Sequence, residues 1–356
     1  APGPLGITNR FLKHIFPHIS KLITKVGNQL LNDENIDNVP EWITLRNIIF
    51  IPKPDKPLNN PDSYRGLSLL NNIYKIYASA LAKRLSLVMP HIMHPCQKGF
   101  IRGKSAAENV RGISDTLQYA HRKNTPMVIL QTDYSKAFPS ISKHHITEVM
   151  KAHEFPNEFI RMINILTKNV PMKVQINGFL SDTMHAERGT GQGDPLSSHL
   201  YDLAANPLNI MLAESDVVPR PPLPNNKAIT LEAYADDNCI PLTSDTQRIQ
   251  DTVELIKRFR NVSGLELSTQ KCNLMFTQAC SPQFKIQLIQ LLNMKEVTQI
   301  KYLGLTINYK GEIKEDDNLG PILIKIKNKA KAITWRNTSP LGKAIQIKAL
   351  LTSKYT

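Results

Sequence analysis

Three carboxylates stand out by type and spacing. Asp133 closes the apolar run "MVILQT", and Asp236 and Asp237 lie side by side within "LEAYADDNCIPL" (231 to 242). The second stretch alternates apolar and polar residues up to the pair, which reads as a hairpin with two like charges at its tip. Such charges repel unless something positive lies between them. Strand ends and hairpin tips meet when their strands share a sheet, so Asp133, Asp236 and Asp237 can form one oxygen-rich site. That donor set suits Mg²⁺, a hard ion that keeps waters and binds substrate phosphates. Two such ions about 3.5–4 Å apart can activate an attacking oxygen and stabilise a leaving one in phosphoryl transfer. Asp is also common in turns on its own account, so the pair by itself does not decide the chemistry.

Other stretches bear on the same chemistry. "RGTGQGDPLSS" (188 to 198) has glycines that let backbone approach a ligand closely, ahead of a helix N-terminus. Lys53 and Arg65, in "IPKPDKPLNNPDSYRG", are placed to neutralise a triphosphate. Phe138, five residues after Asp133, can line a substrate pocket, although an aromatic there is more often part of a core. Taken singly, each has a plainer reading: a loop, two solvated cations, a packed ring. His91, His94 and Cys96 lack a fourth partner at zinc-ligand spacing and read as incidental.

The elements that must position these residues follow from periodicity. Residues 8 to 32 have helical spacing, interrupted by Pro17, and 42 to 54 read as a strand ending at prolines. "PLNNPDSYRG" reads as a turn-rich loop, 69 to 89 as an amphipathic helix, and Ser105 with Glu108 as the capping box of the next. The strand ending on Asp133 is followed by helices over 141 to 155 and 157 to 169, then a hairpin around Asn177 and Gly178. The glycine-rich turn enters a long helix, and a proline-rich loop at 217 to 227 precedes the carboxylate hairpin. A helix over 246 to 263, a strand near 271 to 276, a helix around 282 to 294, a strand "KYLGLTI" and a basic helical tail complete the chain. No internal repeat interrupts this mixed α and β pattern.

Composition bounds the rest. The 356 residues call for two or three subdomains, and 41% hydrophobic content supplies a core. Lys and Arg outnumber Asp and Glu by 44 to 30, a net charge of +14 with pI near 9.5. The excess points to a polyanionic partner, nucleic acid first, against the alternative of a merely basic surface. Four cysteines without paired CxxC spacing argue against a disulfide framework and for a reducing intracellular setting. No apolar run approaches the roughly 18 residues of a membrane span, and no signal peptide is visible. The chain begins at Ala1 and ends in an apparently helical pattern, so it is expected to be part of something longer.

In order and spacing these pieces resemble the reverse transcriptase domain of non-LTR (LINE-type) retrotransposons. The resemblance runs from "APGPLGITNRF" through "NIIFIPKPDKPLNNPDSYRGLSLLNNIYKIYASALAKRL", "CQKGFIRGKSAAENV", "LQTDYSKAF", "RGTGQGDPLSS", "YADD" and "SGLELSTQKCNLMF" to "KYLGLTI", and into "WRNTSPLGKAIQIKALL". It implies an α+β, right-hand polymerase fold: fingers over 1–124, palm over 125–310 with a finger-type helical insertion near 140–170, and the start of the thumb over 311–356. It implies that Asp133, Asp236 and Asp237 are catalytic carboxylates holding two Mg²⁺ or Mn²⁺ ions, Asp133 and Asp236 foremost. Lys53 and Arg65 match residues that hold the incoming triphosphate, and Phe138 the ring that excludes a ribose 2′-hydroxyl. Gln192 and Gly193 match the pair beside nucleotide and template, and Lys271 falls where polymerases carry a lysine near the pyrophosphate. Tyr302, Leu303 and Gly304 lie in the segment that positions the primer end. The implied partners are an RNA template, a DNA primer and dNTPs, with no membrane and a nuclear site of action; an endonuclease would belong to sequence outside this chain.

Several positions depart from the family's usual pattern. Leu5 replaces a customary Asp, Gly66 a Pro after the Arg, Pro139 an Asp after the ring, Gly191 an Arg before the Gln, and Ser198 a Pro. None is an implied metal ligand; loss of a guanidinium at 191 touches nucleotide or template contacts. Two other readings stay open: a binding remnant that keeps the basic groove without turnover, and an RNA-dependent RNA polymerase, against which Phe138 argues.

Overall fold

The computed structural model describes residues 2–36, 39–54, 56–222, 231–334 and 339–350. Helix α1 (Asn9–Asn32) starts at Thr8, whose hydroxyl accepts from the Phe11 N–H at 3.2 Å. It runs unbroken through Pro17, contrary to the interruption expected there. Pro17 lies on the solvent side, and burial of Leu12 and Leu30 offsets the one lost backbone bond. One turn of helix, α2 (Glu41–Thr44), takes up Trp42 to Thr44, so the strand expected from 42 begins only at β1 (Arg46–Pro52). Strand β2 (Tyr64–Leu70) pairs antiparallel with β1 and draws Tyr64 to Gly66 out of the expected loop and Leu69 and Leu70 out of the expected helix. Then follow α3 (Asn72–Ile92) and α4 (Ala106–Arg122), the latter entered through the Ser105–Glu108 capping box.

Strand β3 (Met127–Thr132) leads into the short β4 (Tyr134–Ser135), the single turn α5 (Ala137–Ser140), α6 (Lys143–Ala152) and α7 (Asn157–Thr167). The Arg161 guanidinium of α7 donates to the Leu31 carbonyl at 2.7 Å, to Ile36 at 3.0 Å and to Asp33, capping the end of α1. Strands β5 (Val170–Ile176), β6 (Phe179–Leu180) and β7 (Met184–Ala186) join the β1–β2 pair: β5 runs parallel to β1, and β6 and β7 run antiparallel to β5. Helix α8 (Ser197–Glu214) is buried along most of its length. The hairpin of β8 (Glu232–Tyr234) and β9 (Asp237–Thr243) precedes α9 (Thr246–Ser263), β10 (Glu266–Leu267) and β11 (Asn273–Phe276). Helix α10 (Pro282–Leu292), β12 (Lys295–Glu296), β13 (Gln299–Tyr302), β14 (Leu305–Asn308), α11 (Glu315–Thr334) and α12 (Pro340–Leu350) complete the described chain.

The second sheet, in order β12-β11-β3-β9-β8, carries the architecture. Its central strand reads as a continuous apolar run because both faces are covered. Val128 and Leu130 face the large cluster shared with Leu200, Leu203 and Leu208 of α8, while Met127 and Ile129 face a smaller one built on Val110, Ile113 and Leu117 of α4. A carboxylate at the end of such a strand sits on rigid footing. "KYLGLTI", expected as a strand, is instead a hairpin: Leu303 and Gly304 both take positive φ, and β13 and β14 fold back on each other across them. The latter part of the proline-rich loop, the "WRNT" of the thumb-like segment and the last six residues lie outside the described residues. Among the described residues all four cysteines are free and buried, and no helix is long and apolar enough to cross a membrane.

Candidate active site

Strand pairing fixes where the three carboxylates stand. β3 and β9 are antiparallel neighbours with Thr132 opposite Asn238, so Asp133, the residue that follows β3, continues the register toward Asp237, the residue before Asn238. Tyr234 pairs with Asp237 across the β8–β9 hairpin, leaving Ala235 and Asp236 as its two-residue turn. Ala235 takes φ 54°, the left-handed conformation such a turn demands. Two adjacent strands thus bring Asp133, Asp236 and Asp237 to one end of the sheet.

The electrostatics follow from this crowding. Asp236 is half-buried, and burial together with the Asp133 charge raises its pKa, while the Arg65 guanidinium pulls it back down. Asp237 is open to solvent on one side, yet the packed protein around it and the charges of Asp236 and Asp133 push it up to about 6. Asp236 and Asp237, raised by burial and then by neighbouring negative charge, form a site short of positive charge. Lys271 Nζ approaches Asp133 Oδ1 at 3.7 Å, both side chains being well exposed. Among the described residues no three metal-type side chains converge closely enough in this arrangement to grip an ion. The donor chemistry nevertheless fits a hard divalent cation: oxygen ligands only, mutually repelling, and next to a lysine that already answers one of the charges.

Of the other residues singled out from sequence, Arg65 and Lys271 are tied to the carboxylates by charge, and the rest lie on the surrounding elements. The β1–β2 hairpin carries Arg65 opposite Ile51, close enough for its charge to be felt at Asp236. Lys53 follows the end of β1 and donates to the Asp62 carbonyl at 2.8 Å; the Asp62 carboxylate in turn lies 3.6 Å from Lys136 Nζ. Phe138, on α5, is half-buried and stacks on Tyr201 of α8 with ring centroids 4.6 Å apart. The half-buried Gln192 and the exposed Gly193 form the bend of the turn before α8, and the Gln192 carbonyl accepts from the Ser68 N–H of β2 at 2.9 Å. Leu303 and Gly304 are the tip of the β13–β14 hairpin. Tyr302, by contrast, is buried at 1% exposure, and its hydroxyl donates to the Glu232 carbonyl of β8 at 2.9 Å. It ties the two hairpins together from beneath.

A layer of residues under the hairpin escaped the sequence reading. Gln97 Oε1 accepts from the Ala235 N–H at 2.9 Å and the Gly99 N–H at 2.8 Å, and Asn109 Nδ2 donates to the Ala233 carbonyl at 3.0 Å. Lys98 pairs with Glu232, both largely buried. A Cβ on Gly99 would lie 2.5 Å from the Ala235 nitrogen, so glycine there lets the loop lie flat against the turn. "CQKGF" was visible as a matching stretch, but nothing in its composition says that it clamps a hairpin more than a hundred residues away. Asp202, fully buried on α8, has neither carboxyl oxygen hydrogen-bonded; burial and the Asp236 charge raise its pKa well above the carboxylate range. His94 and Cys96 are not part of any metal site among the described residues: Cys96 N–H donates to His94 Nδ1 at 3.3 Å, and burial pushes the thiol up to about 12.

Comparison with known proteins adds to this geometry. Residues 51–307 match the family described as reverse transcriptase (RNA-dependent DNA polymerase). The chain is 27% identical over 300 residues to the Transposon TX1 uncharacterized 149 kDa protein of Xenopus laevis, covering 82% of this chain and 22% of that protein. It is 25% identical over 341 residues to the retrovirus-related Pol polyprotein from type-2 retrotransposable element R2DM of Drosophila melanogaster, covering 92% of this chain and 31% of that one. The chain therefore spans a third or less of these curated relatives. Among solved structures, telomerase from Candida tropicalis in complex with a TWJ fragment of telomeric RNA superposes with a TM-score of 0.55 at 13% identity, covering 96% of this chain and 57% of that one. At that identity the likeness is one of fold, an α+β right-hand polymerase.

Proposed function

Because the chain belongs to the reverse transcriptase family, we propose that it is the RNA-directed DNA polymerase portion of a non-LTR retrotransposon protein, extending a DNA primer with dNTPs on an RNA template. The observation that carries this reading is that Asp133, at the end of β3, stands beside the β8–β9 hairpin that carries Asp236 in its turn and Asp237 at the start of β9, in one sheet. In this reading residues 1–124 act as fingers, 125–310 as palm with the helical insertion near 140–170, and 311–356 as the start of a thumb.

The reaction joins the primer 3′-oxygen to the α-phosphorus of the incoming nucleotide and breaks the bond to pyrophosphate. Asp133, Asp236 and Asp237 would hold two divalent ions, Mg²⁺ or Mn²⁺, which supply charge neutralisation and activation of the attacking oxygen. Arg65 and Lys53 approach from the β1–β2 side and bear on the triphosphate, where cationic donors at fixed positions stabilise developing charge. Lys271, 3.7 Å from Asp133, would hold a proton near the leaving group. The Phe138 ring, backed by Tyr201, limits the space beside the sugar and favours deoxynucleotides. Gln192 and Gly193 border nucleotide and template, and the Leu303–Gly304 turn, anchored by Tyr302, positions the primer end. Most of the catalysis is orientation plus charge stabilisation, so the rigid central strand matters as much as the carboxylates on it.

Primer extension on an RNA template in Mg²⁺ tests this reading, with dNTPs in one arm and rNTPs in the other. Incorporation of dNTPs with little of rNTPs is the expected result. Efficient rNTP incorporation would remove the role given to Phe138, and retained RNA binding without any incorporation would identify a binding remnant.

A further inference from the structure

The family's pattern usually has an arginine immediately before the Gln of the glycine-rich turn, and this chain has Gly191 there. Gly191 has no positive φ, so backbone conformation does not call for glycine; space does. A Cβ on it would lie 2.4 Å from Arg46 Nη1 and 2.8 Å from Ser68 Oγ. The guanidinium of Arg46, delivered from the start of β1, occupies the ground that a side chain at 191 would need.

Arg46 is not placed there to meet solvent. It is 6% exposed, its Nη2 lies 3.8 Å from Asp194 Oδ2, and its guanidinium sits 5.7 Å from the centre of the Tyr74 ring. The Tyr74 hydroxyl donates to the same Asp194 oxygen. Asp194 then holds the turn from inside: its other oxygen accepts from the Leu196 N–H at 3.0 Å, and its carbonyl accepts from the Ser197 N–H at 3.1 Å. The Gly191 carbonyl accepts from Ser197 Oγ at 2.6 Å and from the Asp194 N–H at 3.1 Å. A buried carboxylate in this position needs a cationic partner, and Arg46 is the one the structure pairs with it.

We propose that Arg46 is the positioning residue of the nucleotide-side turn, supplying from β1 the guanidinium that position 191 lacks and, through Asp194, holding Gln192 and Gly193 at the angle at which they meet the nucleotide. Arg46 touches no substrate; it acts through the turn. The role given to Gln192 and Gly193 rests on the polymerase reading above, whereas the pairing of Arg46 with the space at Gly191 does not.

The test is a relocation of the guanidinium. Arg46→Ala, Gly191→Arg and the double variant are compared with wild type by thermal unfolding and by steady-state primer extension well below every midpoint. Arg46→Ala strands the Asp194 charge, and Gly191→Arg drives a second guanidinium into Arg46. Each single variant lowers the midpoint and raises the KM for dNTP by roughly tenfold or more, with a smaller change in kcat and in affinity for the primer–template. The double variant recovers most of both losses, because the guanidinium returns from the turn itself and the Ser68 hydroxyl can rotate aside. Arg46→Lys, which keeps the charge without the planar fork, falls between wild type and Arg46→Ala and stands in if that variant does not fold. A double variant no better than its worse parent overturns the proposal. So does an Arg46→Ala that lowers the midpoint while leaving the KM for dNTP unmoved, since that is a purely structural residue. If wild type extends no primer, the polymerase reading fails, and the midpoints of the double variant still decide whether the two positions share one guanidinium.

Discussion

Asp237 behaves differently from a surface aspartate because protein packs around it and Asp236 and Asp133 stand beside it, which together push it up to about 6. Asp236 and the buried Asp202 are raised as well. For each of these groups the folded chain holds its proton more tightly than the unfolded chain, where a carboxyl titrates near about 4. Their contribution to stability is therefore complete below that value and is lost as pH rises, for Asp237 through about 6, the opposite of an aspartate held by a salt bridge. Thermal midpoints measured in EDTA from about pH 5 to about pH 8 should fall more, or rise less, in wild type than in Asp237→Asn. The comparison cancels the opposite trend of His94, His145 and His199, whose pKa values burial lowers. Added Mg²⁺ should recover the loss at the upper end, since a cation replaces the missing protons. The same pH trend in wild type and Asp237→Asn, or midpoints that ignore Mg²⁺, would contradict the charge-poor site described here. At the same scale, Phe138→Ala should raise rNTP incorporation relative to dNTP by roughly tenfold or more. An unchanged ratio would move discrimination to another residue.

The elements matter through what they hold still. The turn of the carboxylate hairpin rests on the loop at 96 to 99, where Gln97 Oε1 accepts from two backbone N–H groups at once. Gln97→Ala leaves both donors unpaired in a buried place, a destabilisation of about 1–3 kcal/mol. Primer extension should fall further than stability does, because the Ala235–Asp236 turn loses its support. Equal wild-type activity in that variant would show that the turn is held by the strands alone. The strands themselves were legible in sequence: the apolar run to Asp133, the alternation before Asp236 and the capping box at Ser105 all reflect local rules of burial and capping. The clamp was not, because Gln97, Lys98 and Asn109 meet the hairpin across long chain separations that leave no periodic trace. Gly191 and Arg46 make the same point in sharper form. Read alone, the glycine is a lost guanidinium; in space, a guanidinium from β1 stands in its place. The "KYLGLTI" hairpin was missed for a simpler reason, since Leu303 in a left-handed turn is a residue type that turn rules do not anticipate.

At the scale of the whole molecule, charge and architecture point the same way. A net charge of +14 favours a polyanion, and in the proposed reading the sheet that ends at Asp133 is the floor on which a duplex is held. Binding of an RNA–DNA duplex should weaken by at least about tenfold between about 50 and about 200 mM salt, as counterion release requires. An affinity independent of salt would leave the basic excess as a property of the surface alone. The central claim is that three carboxylates on adjacent strands perform RNA-directed DNA synthesis. Primer extension on an RNA template with dNTPs and Mg²⁺, wild type against Asp236→Asn, tests it most directly. Asparagine keeps the shape of the turn and removes its charge, so extension should fall by at least about a hundredfold while duplex binding is retained. Extension by Asp236→Asn at the wild-type rate would contradict the account.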